Sequence, residues 1–252
     1  EVIIPTPCWV SYVDQVKMVD AVPVTFQTTE ANDFKATVEQ LEAARTEKTK
    51  LILLNSPSNP TGMIYSREEL EAIGAWALEH DILILADDIY GRLVYNGHQF
   101  TAISSLSDAL RKQSIVVNGV SKTYAMTGWR VGFAVAEPEI IAGMAKIISQ
   151  TTSNLTAVSQ YAAIEALTGD QTSIETMRQA FEERLNTIYP LLAEIPGFEV
   201  IKPQGAFYLF PNVKKAMEMK GFTDVTDFTN ALLEEAEVAL VTGAGFGAPE
   251  NI

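Results

Sequence analysis

Cysteine is almost absent from this chain. Cys8 is the single one in 252 residues, which excludes an internal disulfide framework and a cysteine-rich zinc site. Only two histidines are present, His80 and His98, so no metal centre is expected. Basic residues are scarce as well. Lys and Arg number 18 against 32 Asp and Glu, giving a net charge of -14, and such a surface repels phosphate backbones and anionic membranes. Neither nucleic acid nor membrane is an expected partner. Long apolar runs are missing too: the greasiest stretch, Ile82 to Ala86, stops at Asp87 and Asp88, far short of the roughly 18 residues of a membrane span. No stretch reads as a secretory leader, and one cysteine suits a reducing compartment, so a cytoplasmic location is expected. The chain opens on Glu1 directly before a strand-like run and closes on Asn251-Ile252 in a loop-like stretch, which reads as an internal piece of a longer polypeptide.

What is present is a globular composition, 47% hydrophobic and 20% charged, long enough for one large or two ordinary domains. Short aliphatic runs recur at Val2 to Ile4, Val22 to Phe26, Leu51 to Leu54, Ile82 to Ala86, Ser114 to Val117 and Val131 to Val135. Helical spacing separates several of them: Phe34, Val38, Leu41 and Ala44, then Leu70, Ile73, Ala77 and Leu78. Ser66 and Glu69 form a capping box for the second helix. Pro138 suits the first turn of a helix that presents Ile141, Met144 and Ile148. Alternating strands and helices with continuously apolar strands predict an α/β fold, a mostly parallel sheet with helices on both faces. After about Gly169 the texture changes to a long helix carrying Met177, Phe181, Leu185, Ile188 and Leu192, strand-like runs at Phe198 to Ile201, Ala206 to Phe210 and Val238 to Val241, and a helix around Phe228 to Ala236. This predicts a large domain over residues 1–170 and a smaller α+β C-terminal domain over 171–252, both incomplete.

In an open parallel sheet, ligands sit beyond the carboxyl ends of the strands. There the sequence places Trp9, Asn59 in a proline-rich loop, Asp87-Asp88-Ile89-Tyr90, and Ser121-Lys122 with Arg130 eight residues on. Singly, each has an ordinary explanation: a surface lysine, a helix-capping acid, a core indole, a turn asparagine, half of an ion pair. Together they supply what pyridoxal phosphate needs: an amine for its aldehyde, an acid for its ring nitrogen, donors for its phenolic oxygen, a flat surface, and cationic and hydroxyl groups for its phosphate. Period-two alternation would put Asp87 and Ile89 on one face, with Asp88 turned away. Ile89 would then support one ring face and Trp9 would cover the other.

The stretch Gly119 to Gly132, with Ser121-Lys122 and Arg130, resembles the cofactor-attachment motif of class I pyridoxal-phosphate-dependent aminotransferases. Asn59-Pro60-Thr61-Gly62, Asp87 to Tyr90, Trp9 to Tyr12 and Gln204 to Tyr208 extend the similarity across nearly the whole chain, within that family toward the bacterial aspartate aminotransferase branch. The resemblance implies the large domain of fold type I and pyridoxal 5'-phosphate as cofactor. It also implies a homodimer and ping-pong transfer of an amino group between an amino acid, aspartate in that branch, and a 2-oxo acid such as 2-oxoglutarate. By the same resemblance Lys122 is the catalytic residue and cofactor anchor, Asp87 the ring-nitrogen partner, Tyr90 and Asn59 the phenolic-oxygen donors, and Arg130 and Ser121 the phosphate ligands. Trp9 stacks on the ring, and Trp9 and Asn59 approach the substrate carboxylate.

The chain departs from the family pattern at Gly119, where many members carry serine. The family's glycine-rich phosphate loop and its carboxylate-binding arginine fall outside residues 1–252. Competing readings are a carbon–sulfur lyase on the same scaffold and a non-catalytic domain that binds the cofactor for regulation or interaction. A glycine-rich stretch, Gly243 to Ala248, loosely fits a dinucleotide fingerprint, but Pro249 follows it, so a turn is expected instead.

Overall fold

A computed structural model describes residues 1–252. Six strands form one sheet: β1 (Val2–Thr6), β2 (Pro23–Gln27), β3 (Leu51–Asn55), β4 (Leu83–Asp87), β5 (Ser114–Gly119) and β6 (Gly132–Val135), in the order β2-β1-β3-β4-β5-β6. All neighbours are parallel except β6, which runs antiparallel to β5. All six strand-like runs of the sequence thus become strands, within a residue or two at their ends.

The continuous apolar runs are sorted by the pleat onto two buried faces. Ile3, Ile52, Leu54, Ile84 and Ala86 face one side and pack on Leu41 of α2 (Val38–Ala44), on Leu70, Ile73 and Ala77 of α3 (Arg67–Glu79), and on Leu110 of α4 (Asp108–Gln113). Ile4 and Leu53 face the other side and pack on Cys8 and on Tyr12 of α1 (Ser11–Lys17). Each fully buried aliphatic side chain contributes roughly 1.5–3 kcal/mol. Helices therefore cover both faces.

Local chemistry sets the helix starts. Ser66 and Glu69 make the predicted reciprocal cap at α3. Thr37 and Gln40 make a second one at α2, so that helix begins at Val38 and leaves Phe34 outside it, in a left-handed turn at φ +53°. The helical spacing read through Phe34 is overridden by the cap.

Pro138 opens α5 (Pro138–Thr151), but its apolar stripe is only half covered: Ile147 and Ile148 are exposed, as are Val158, Tyr161 and Ile164 on α6 (Ala157–Thr168) and Val135 on the edge strand β6. The long helix α7 (Thr172–Ala193) sets Met177, Phe181 and Leu185 against Tyr90, Leu93, Tyr95 and Ala206. Tyr189 continues that stripe where Ile188 was expected, and Ile188 is exposed. Val213 and Met217, at and within α8 (Lys214–Lys220), join Val225 and Phe228 of α9 (Val225–Ala236) and Ile252 in a separate small core.

After Gly169 the pairings are isolated bridges, Glu199 with Asn212, Val94 with Gly205 and Asn212 with Asn251, and of these residues only Glu199 lies in a strand-like run. Ala206 is left-handed at φ +58°, which interrupts extension there, and Leu240 and Val241 lie exposed with no ladder beside them. A strand needs a partner along its length, and these runs have none. No helix is long and apolar enough to cross a membrane.

Candidate active site

The register of the sheet brings the carboxyl ends together. Asn55 of β3 pairs with Asp87 of β4, and Asp87 with Val117 of β5. Beyond them opens a cavity of about 510 Å³, within the usual range for a small-molecule site. Its lining includes all eight residues singled out in the sequence: Trp9, Asn59, Asp87, Ile89, Tyr90, Ser121, Lys122 and Arg130.

Asp87 is the most constrained of these. Its Oδ2 accepts a hydrogen bond from the Tyr12 hydroxyl at 2.6 Å, and its Oδ1 accepts from the Ile89 backbone N–H at 3.1 Å. Burial pushes its pKa up, while the Tyr12 and Ile89 bonds and the Lys122 charge push it down. The β4 ladder stops at Asp87 and the chain turns, so Asp87 and Ile89 share the cavity through this local side-chain bond, an Asx-type turn, where continued extension was expected. Asp88 is buried away from the cavity and caps no helix, because a turn follows it. Burial and the neighbouring Asp87 charge raise its pKa to about 7.

Asn55 fixes the proline-rich loop. Its Nδ2 donates to the Asp87 carbonyl at 2.9 Å, and its Oδ1 accepts from the Asn59 N–H at 2.7 Å, which aims Asn59. The Tyr90 hydroxyl is paired with that of Tyr208, and burial holds the Tyr90 phenol above its ordinary pKa. The Lys122 Nζ sits 5.9 Å from the Tyr90 ring centre and 5.5 Å from that of Phe207, a distance at which an ammonium is attracted to an aromatic face. Trp9 is 37% exposed and meets the Tyr12 ring edge-on at 5.2 Å.

Part of the wall is the loop between β5 and β6. Ser121 is half-buried. Arg130 is exposed, left-handed at φ +56°, and donates from Nη1 to the Thr127 carbonyl at 2.9 Å. Thr127 lines the cavity as well. At Gly119 a Cβ would lie 2.7 Å from the Val131 carbonyl oxygen, so a serine there would require the β5–β6 backbones to move apart.

Tyr12, Asn55, Asn118, Thr127 and Tyr208 also line the cavity and were not singled out in the sequence. Tyr12 and Asn55 had a signal, one lying three residues past Trp9 and the other ending a strand. Tyr208 arrives from a remote segment, and although Gln204 to Tyr208 carried part of the family resemblance, no role was assigned to it. Gly243–Phe246 is a 3₁₀ turn closed by a left-handed Gly247, so no helix follows to seat a dinucleotide.

The donor set fits pyridoxal 5'-phosphate, the cofactor of class I aminotransferases. An amine, a pinned carboxylate, a phenol and a carboxamide surround the space, with a guanidinium and hydroxyls also in its lining. The aminotransferase class I and II profile matches residues 1–252. The chain is 76% identical over its whole length to asparagine–oxo-acid transaminase of Streptococcus mutans and 55% identical to aspartate aminotransferase of Bacillus subtilis, covering 64% of each. The crystal structure of aspartate aminotransferase from Rhizobium meliloti superposes on 99% of the chain with a TM-score of 0.93 at 38% identity, again over 64% of that protein. The chain thus spans about 64% of the length of the relatives it matches. With cavity, profile and superposition in agreement, this chain belongs to the class I and II aminotransferase family.

Proposed function

We propose that the protein transfers an amino group from an amino acid to a 2-oxo acid by a ping-pong reaction with pyridoxal 5'-phosphate, and that Lys122 is its catalytic residue. The observation that carries this reading is that the Lys122 amine and the pinned Asp87 carboxylate line one cavity. The cofactor supplies an aldehyde for amine exchange and an electron-poor ring that takes up the electrons of a broken Cα–H bond.

The chain's residues do the rest. The Lys122 Nζ would hold the cofactor's aldehyde, and the same amine would take the substrate's α-proton and later return it, acting as base and then acid. Asp87 holds a proton on the ring nitrogen. Tyr90 and Asn59 donate to the phenolic oxygen, which requires Tyr90 to share its hydroxyl with Tyr208. Arg130 and Ser121 bind the phosphate. Trp9 and Ile89 flank the ring, and Trp9 with Asn59 approaches the substrate carboxylate.

For the donor we propose aspartate, supported by the names of the Bacillus and Rhizobium relatives. Asparagine is the second reading, favoured by the name of the relative at 76% identity. We further propose a large domain over residues 1–170 and part of a small one over 171–252, a cytoplasmic location, and a homodimer as the working unit.

Lys122→Ala in the full-length protein tests the core of this reading. Borohydride treatment of the cofactor-loaded variant should trap no covalent adduct, and keto-acid release should vanish. An adduct at full yield would overturn the assignment. A donor panel with 2-oxoglutarate as acceptor, comparing aspartate with asparagine, decides the substrate.

A further inference from the structure

Tyr12 stands at the junction of the buried sheet face and the cavity. It lies in the first turn of α1, its backbone N–H closes on the Trp9 carbonyl at 3.1 Å, and its ring is packed with Ile4, Cys8 and Leu53. From that fixed base it makes two outward contacts, the 2.6 Å hydroxyl bond to Asp87 Oδ2 and the perpendicular contact with Trp9 at an interplanar angle of 88°. No other side chain donates to the Asp87 carboxylate, whose remaining bond comes from the Ile89 backbone N–H. We propose that Tyr12 is the positioning residue of this site, with its hydroxyl setting the orientation and proton affinity of Asp87 and its ring edge setting the tilt of Trp9. The proposal rests on the reading of Asp87 as ring-nitrogen partner.

A carboxylate offers about four lone-pair directions. Tyr12 and Ile89 take one on each oxygen, which fixes the carboxylate plane and leaves the others available toward the cavity. Burial alone would favour a neutral Asp87, and donation from a phenol opposes this because it stabilises the ionised form. The Tyr12 phenol is itself driven far above its ordinary pKa, first by burial and then by the Asp87 charge, so it remains a donor throughout the working range. Ring-nitrogen acid and ring-stacking indole are thereby referenced to the same buried side chain, and a shift of α1 against the sheet would move both.

The test uses the full-length holoenzyme loaded with cofactor isotopically labelled at its ring nitrogen. Three variants are compared: Tyr12→Phe, which removes only the hydroxyl and keeps the buried ring; Tyr12→Leu, which removes both contacts; and Asp87→Asn as reference. In Tyr12→Phe the nitrogen resonance should move toward the unprotonated position, part of the way to its place in Asp87→Asn, while quenching of tryptophan emission on cofactor loading stays as in the wild type. In Tyr12→Leu the resonance should move as far and the quenching should also diminish. A wild-type resonance in Tyr12→Phe beside a displaced one in Asp87→Asn would overturn the hydroxyl role. Wild-type quenching in Tyr12→Leu would overturn the Trp9 role. An undisplaced resonance in Asp87→Asn would instead overturn the reading of Asp87 on which the proposal stands.

Discussion

Two parts of the cavity lining, around Asp87 and around Arg130, are built by different means. Around Asp87 the groups stand on strand termini. Both Asp87 oxygens are occupied, Asn55 ties β4 to the Asn59 loop, and Tyr12 comes from the core. Around Arg130 the groups stand on an exposed loop, and the guanidinium has one hydrogen bond, to the Thr127 carbonyl. The difference fits the roles proposed for the two groups. An acid that holds a proton on a ring gains from low dielectric and fixed geometry. A cation that meets a doubly charged phosphate would lose hydration if it were buried before its partner arrived. Preorganisation is concentrated where proton chemistry is proposed, and the cation proposed for the phosphate is left exposed.

This contrast can be broken by experiment. The largest effect is expected for Asp87→Ala, which should slow α-proton removal by about 10²–10³-fold, the scale for losing a preorganised electrostatic partner. Covalent attachment at Lys122 should persist, and single-turnover absorbance with saturating donor reads both quantities. Arg130→Gln should act on affinity instead. Loss of a charge-assisted bond worth about 1.5–3 kcal/mol weakens cofactor binding roughly tenfold to a hundredfold and flattens its salt dependence, while the cofactor-saturated enzyme removes the proton at close to its normal rate. If Arg130→Gln slowed proton removal as much as Asp87→Ala, the division of labour between the two parts would be wrong.

The smallest effect concerns stability at the preorganised part. Asp88, raised from 3.8 to about 7 by burial and then by the Asp87 charge, binds its proton more tightly in the folded than in the unfolded chain. Its contribution is therefore full below about 3.8 and is lost as pH rises through about 7. Asp88→Asn should flatten that limb when urea midpoints of the cofactor-free protein are compared across the window. An unchanged slope would show that Asp88 is not desolvated.

Legibility in the sequence followed the same division. The strands could be read because burial on both faces demands continuous apolar runs, and the residues after them could be read because a sheet gathers its carboxyl ends. Lys122, Asp87, Tyr90, Asn59 and Arg130 were visible by chemical type and position alone. Tyr208 was visible only as part of a resembling stretch and not as a partner of Tyr90, since their meeting across 118 residues of chain depends on where α7 and the Ala206 turn set the later segment. Phe34 was misread because spacing says nothing of the cap that starts the helix after it. The runs after Gly169 were misread as strands because β-branched composition marks a residue that could pair, and pairing needs a neighbour that local sequence does not contain.

The antiparallel return of β6 has a mechanical meaning. Gly119 is in register with Gly132, and the Val120 N–H reaches the Val131 carbonyl at 3.3 Å, so the segment bearing Lys122 and Arg130 is a closed clasp with both feet fastened to each other. The proposed covalent anchor and the proposed phosphate-binding cation are spaced by a ruler of fixed length. A residue inserted between them would stretch that ruler, while one inserted outside the clasp would carry anchor and cation along together.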